Sequence, residues 1–176
     1  MILLMGIQGS GKGTQGKMLA DARGYHLISM GEVLRMYASP QQRERMLAGE
    51  LLGDEETTAI FDRVLAELPA NEESVIDGYP RSIPQAEWLL GEINKGRFKL
   101  RNVIMLVASR AVVTERLMSR GRVDDNEAAI QERLNEYEKN TQPLLAWFAD
   151  HGIQVTTVDA ERPAAEVNDD IVNSLN

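Results

Sequence analysis

The chain contains no cysteine, which excludes a disulfide frame and any cysteine-based zinc site. Histidine is nearly absent too. His26 falls in a strand-like segment and His151 at the end of a helical one; neither has a metal-ligand companion, and neither is assigned a role. No apolar run approaches the ~18 residues that a membrane-crossing helix needs. Met1 leads straight into an apolar segment with no basic region or cleavage site, so a soluble cytoplasmic protein is expected. Positive charge is in deficit: the formal net charge is −8, which argues against nucleic acid or an anionic membrane as the main partner. Any anionic ligand must then be held by a local cluster of arginines.

What is present suits one globular domain of 176 residues with a core that needs no staples. There is no internal repeat and no linker. Apolar, β-branched runs at Ile2–Met5, Tyr25–Ile28, Ser74–Asp77, Asn102–Val107 and Gln154–Val158 predict strands. Between them lie segments with helix caps and 3.6-residue periodicity. This alternation predicts a three-layer α/β/α fold on a five-stranded parallel sheet with right-handed crossovers. Ligands of such sheets bind beyond the carboxyl ends of the strands.

The first strand runs into Gly6-Ile7-Gln8-Gly9-Ser10-Gly11-Lys12-Gly13-Thr14-Gln15. Glycines permit positive φ and close backbone approach, so successive N–H groups can face one anion. A helix from Gly13 to about Ala22 would add its positive end, and Lys12 a mobile charge for the outer phosphates. A plain glycine-rich turn is the alternative; the position directly after the first strand favours phosphate.

Ser29 and Glu32 have capping-box spacing. Ser39-Pro40 opens a helix that Gly49 would stop, and Asp54 would cap another reaching about Leu68; these two small helices predict a flap over the sheet edge rather than core. Asp77 ends the third strand where a phosphate-bound Mg²⁺ needs a carboxylate. A turn aspartate before Gly78 is the alternative, and the glycine loop tips the balance. Arg81 follows on the same loop, and Ser82 with Gln85 again has capping-box spacing. Arg116 and Arg120 share a helix face. Arg122 and Arg133 flank a new helix start, with Asp124 as cap and Glu127 as its N3 acid. Here is the required arginine cluster, although Asp124 and Asp125 could simply neutralise it. Ile130, Leu134, Tyr137, Leu144 and Phe148 form a buried stripe, and Pro143 should kink or restart that helix.

These segments, in order and nearly end to end, resemble the adenylate kinases among the nucleoside monophosphate kinases. The match comprises Gly6–Gln15, the Ile28–Arg35 stretch, Asp77-Gly78-Tyr79-Pro80-Arg81 with Gln85, Arg120 to Asp125 with Arg133, and Val158 to Pro163. The resemblance implies a P-loop kinase core over 1–28, 69–119 and 126–176, an acceptor-binding insert at about 29–60 and a minimal lid at about 120–125. It implies that Gly9, Ser10, Gly11, Lys12, Gly13 and Thr14 hold the ATP phosphates, with Arg116, Arg120 and the backbone near Arg162 on the ATP side. Met30, Arg35, Glu50, Leu51, Leu52, Gly78, Tyr79, Pro80, Arg81, Gln85, Arg122 and Arg133 would form the AMP side. Lys12, Arg81, Arg120, Arg122 and Arg133 would be catalytic, and Asp77 would hold Mg²⁺ through water.

Three departures stand out. Gln8 occupies a usual proline position, Met30 replaces a threonine common in AMP-specific members, and only Gly121 separates Arg120 from Arg122. So short a lid excludes the zinc-bearing long form. The expected partners are ATP, AMP and ADP, acted on by a monomer with Mg²⁺ and no zinc. A UMP/CMP kinase is the first alternative, and Gln85 argues against it because pyrimidine-specific relatives tend to carry asparagine there. A catalytically silent adenylate-binding protein is the second.

Overall fold

The computed structural model describes residues 1–48, 52–68, 72–121 and 125–175. Five strands form one fully parallel sheet: β1 (Ile2–Gly6), β2 (His26–Ser29), β3 (Ser74–Asp77), β4 (Asn102–Val107) and β5 (Val155–Asp159), in the order β2-β3-β1-β4-β5. β2 and β5 each begin and end one residue later than the sequence predicts.

The apolar runs are continuous because both faces of the sheet are covered. Leu3 and Met5 of β1 join Ile76, Val103 and Met105 on one face. Ile2 and Leu4 join Val75, Ile104 and Leu106 on the other. Against the second face lie Leu19 of α1 (Lys12–Arg23) and Val167 and Ile171 of α9 (Ala164–Ser174). Against the first lie α2 (Met30–Tyr37), α4 (Asp54–Ala66), α5 (Ile83–Asn94) and α8 (Leu144–Asp150), through Leu34, Phe61, Leu89 and Phe148. A smaller cluster joins Ile7 to α6 (Arg110–Arg120) and α7 (Glu127–Glu136).

The two helices predicted as a flap differ from each other. α3 (Pro40–Leu47) buries no residue, as a flap should. α4 is core: Phe61 is fully buried and lies 4.0 Å, ring to ring, from Tyr79.

Helix starts depart from the spacing rules in an informative way. Ser29 ends β2 and stands at the α2 N-cap without a side-chain cap bond, so the box with Glu32 does not form. Ser39 does form a box, with Gln42: 3.3 Å to its N–H and 2.8 Å back. Gly53 holds the α4 N-cap position that Asp54 was expected to fill, because the Asp54 carboxylate turns to Ser82 and Gln85. Asn126 caps α7 through Ala129 N–H at 2.9 Å, which moves Glu127 from N3 to the first helical position; Asp124 lies outside the described residues, as does Gly49.

Pro143 restarts the chain as α8, and the approach to it is a π-helical turn at Tyr137–Thr141. Pro143 has no N–H for the carbonyl four residues back, and the ladder widens, with Gln142 N–H reaching Tyr137 O at 2.9 Å. No helix among the described residues is long and apolar enough to cross a membrane.

Candidate functional site

The carboxyl ends of β1 and β3 open onto a cleft of about 610 Å³. On one side is the glycine loop. Gly6, Gly9 and Gly11 all have positive φ. Gly6 is obligatory on two counts: its φ is 138°, and a Cβ there would lie 2.4 Å from Leu106 O. α1 then begins without a side-chain cap, leaving the amides of its first turn available to a ligand. Ser10 is buried and its hydroxyl has no hydrogen-bond partner among the described residues; Gly13 and Thr14 are exposed.

Lys12 folds back over the loop, donating to Gly6 O at 2.7 Å and Ile7 O at 2.9 Å. Burial lowers its pKa to about 8, assisted by Arg81 and Arg120 and opposed by Asp77. A lysine whose charge is this costly awaits an anion. Asp77 faces the same turn, with Oδ2 3.6 Å from where a Cβ on Gly13 would sit.

Across the cleft is an arginine cluster. Burial lowers the Arg81 pKa, with Asp77 opposing and Arg133 and Arg35 adding to the fall. Three anchors hold the Arg81 loop: its Nε donates to Gly78 O at 2.7 Å, its N–H to Gln85 Oε1 at 2.9 Å, and Thr141 donates to its carbonyl at 2.9 Å. Gly78 has φ 83°, and a Cβ there would meet Arg81 Nη2 at 2.8 Å. Arg35 lies back over Gly31 on the cleft wall. Asp125, with its side chain wholly buried, joins two arginines: Arg120 binds it bidentately at 2.8 and 2.7 Å, and Arg133 reaches it at 3.1 Å. Arg116 instead holds the carbonyls of Ala160 and Glu161, at 2.9 and 3.4 Å.

The model of the family described as adenylate kinase matches residues 4–153. The chain belongs to the adenylate kinase family. It is 35% identical to an adenylate kinase of Parasynechococcus marenigrum (strain WH8102), over 99% of this chain and 97% of that one. It is 36% identical to adenylate kinases of Corynebacterium urealyticum (96% and 94% covered) and Nocardia farcinica (99% and 98% covered).

Measured against what family membership leads one to look for, the cleft unites Lys12, Arg35, Leu52, Gly78, Pro80, Arg81, Gln85 and Arg133. Met30 is fully buried in the core and absent from the cleft wall. Tyr79 is fully buried too, its hydroxyl 3.0 Å from Thr58 Oγ1 and 3.3 Å from Gln85 O; burial raises its pKa. Arg162 is turned to Asp170 and Asp159 at the surface, leaving its backbone beside the loop that Arg116 holds. Glu50, Leu51 and Arg122 lie outside the described residues. Sequence reasoning missed Arg43, Thr141 and Tyr137 as cleft residues. Tyr137 was expected in the core and is only half-buried; burial raises its pKa.

Proposed function

We propose that this chain catalyses reversible phosphoryl transfer from ATP to AMP, giving two ADP, by direct in-line displacement. The carrying observation is one cleft whose lining brings Lys12, Arg35, Arg81 and Arg133 together with Leu52 and Gln85. Cations for phosphate and apolar groups for a base within a single cleft suit a second nucleotide as acceptor.

The acceptor phosphate is already a nucleophile, so the chain needs no general base. Its task is to position two anions and to neutralise charge spread over the transferring group. The glycine loop and Lys12 hold the donor phosphates; Arg35 and Arg81 hold the acceptor phosphate. Arg133 bridges toward the moving group, and Arg122 is assigned to the same bridge from the sequence alone. Guanidinium forks suit this work because they bind oxygen pairs and keep their charge. Among the described residues no three acidic or histidine side chains form a metal-binding group. Asp77 therefore fits Mg²⁺ only as one outer carboxylate beside phosphate ligands, which is how that ion is commonly held. When bound with ATP, Mg²⁺ supplies further neutralisation of the phosphates. The chain is taken to act as a monomer, and its lack of cysteine suits a reducing cytoplasm.

A coupled ADP-formation assay across AMP, CMP, UMP and GMP, with and without Mg²⁺, tests the proposal. It predicts Mg-dependent ADP formation, fastest with AMP. Rates highest with UMP or CMP would replace AMP as the acceptor.

A further inference from the structure

The carboxamide of Gln85 is engaged at both ends. Its Oε1 accepts the Arg81 backbone N–H at 2.9 Å, and its Nε2 donates to Asp54 Oδ1 at 2.8 Å. The same carboxylate oxygen accepts the Ser82 hydroxyl at 2.5 Å. A backbone N–H only donates and a carboxylate only accepts. Exchanging the amide's oxygen and nitrogen would set oxygen against oxygen at Asp54 and N–H against N–H at Arg81. Gln85 is 2% exposed, so water cannot compensate such a mismatch. The amide has one permitted orientation.

We propose that Asp54 is a specificity-determining positioning residue: it fixes the hydrogen-bond polarity that Gln85 presents to the acceptor base, and so selects amino bases over oxo bases. The inference rests on the reading of this cleft as a nucleotide acceptor site. A carboxamide has two N–H donors and two oxygen lone pairs. One donor is used at Asp54 and one lone pair at Arg81. One N–H and one lone pair remain, in a fixed order, on a side chain that lines the cleft with Leu52 and Gly78. Adenine offers the complement, a ring nitrogen that accepts beside an amino group that donates. Guanine presents the opposite polarity, a ring N–H beside an oxo group that accepts. A flipping amide would serve both; a locked one rejects guanine by facing donor with donor. Asp54 itself has no need to touch the nucleotide.

The test compares kcat and KM for AMP and GMP in the unaltered chain, Asp54→Asn and Asp54→Ser. Kd for each monophosphate without ATP is measured alongside, and thermal unfolding shows that each variant is folded. Asparagine and serine can donate or accept, so either removes the constraint at Nε2 and leaves the Arg81 N–H as the one anchor that opposes a turned amide. The unaltered chain should favour AMP over GMP by about 100-fold or more in kcat/KM. Both variants should lower that ratio at least about tenfold, through KM rather than kcat, with GMP improving in absolute terms. A folded variant that keeps the original ratio overturns the proposal, as does an unaltered chain without preference. If the unaltered chain forms no ADP with any acceptor, the kinase reading fails; the AMP-to-GMP ratio of Kd values then decides the lock by the same criteria.

Discussion

Lys12 carries an electrostatic cost that a bound phosphate relieves. Its pKa of about 8 lies below the ordinary 10.5 because of burial and two nearby arginines. The unfolded chain therefore holds the proton more tightly than the folded one, so the cost is full below pH 8 and fades as pH rises toward 10.5. The free chain should gain stability over that window relative to Lys12→Met, which thermal melts of the two across pH would show. ATP favours the charged amine, so its affinity should fall as pH passes 8, and Lys12→Met should lose about 10²–10³-fold in kcat while staying folded. Asp125 is the second decisive residue. It is the wholly buried acceptor shared by Arg120 and Arg133. Asp125→Ala should destabilise by about 3 kcal/mol in denaturant titration and lower turnover, because two guanidiniums lose their common anchor. The arginine cluster was legible from its motif, and so was neutralisation by an aspartate. That one carboxylate would orient two arginines was not, since it depends on how α6 and α7 meet. Nor was the role of Asp54: its partner Gln85 is 31 positions away, and at helix-start spacing an aspartate reads as a cap.

At the scale of elements, the strands were legible because a sheet covered on both faces leaves unbroken apolar runs. Helix caps were less so. Serine at capping-box spacing formed a box at Ser39 and none at Ser29, where the strand passes into the helix without an intervening turn. Local spacing alone does not decide whether a box closes. The exposed helix α3 buries no residue and depends on its cap, whose Gln42 also donates to Glu56 at 2.8 Å. Ser39→Ala should cost about 1 kcal/mol of local stability, seen as faster amide exchange in residues 41–47 with little change at β1. The π-helical turn before Pro143 was not readable beyond a restart, yet it carries Thr141 to the Arg81 carbonyl and lines the cleft through Tyr137 and Thr141.

Over the whole molecule, the sheet order places the β1 glycine loop and the β3 aspartate side by side at one crevice. α2 and α3 supply Arg35 and Arg43 from one side, and α7 supplies Arg133 from the other. A cleft that combines several cations with apolar lining suits the proposed transfer between two bound anions. The most direct measurement follows from that geometry. Product analysis by phosphorus NMR, with ATP, AMP and Mg²⁺, should show two ADP formed for each ATP consumed and no inorganic phosphate. Inorganic phosphate accumulating in place of the second ADP, or no ADP formed from ATP and AMP, would contradict the account.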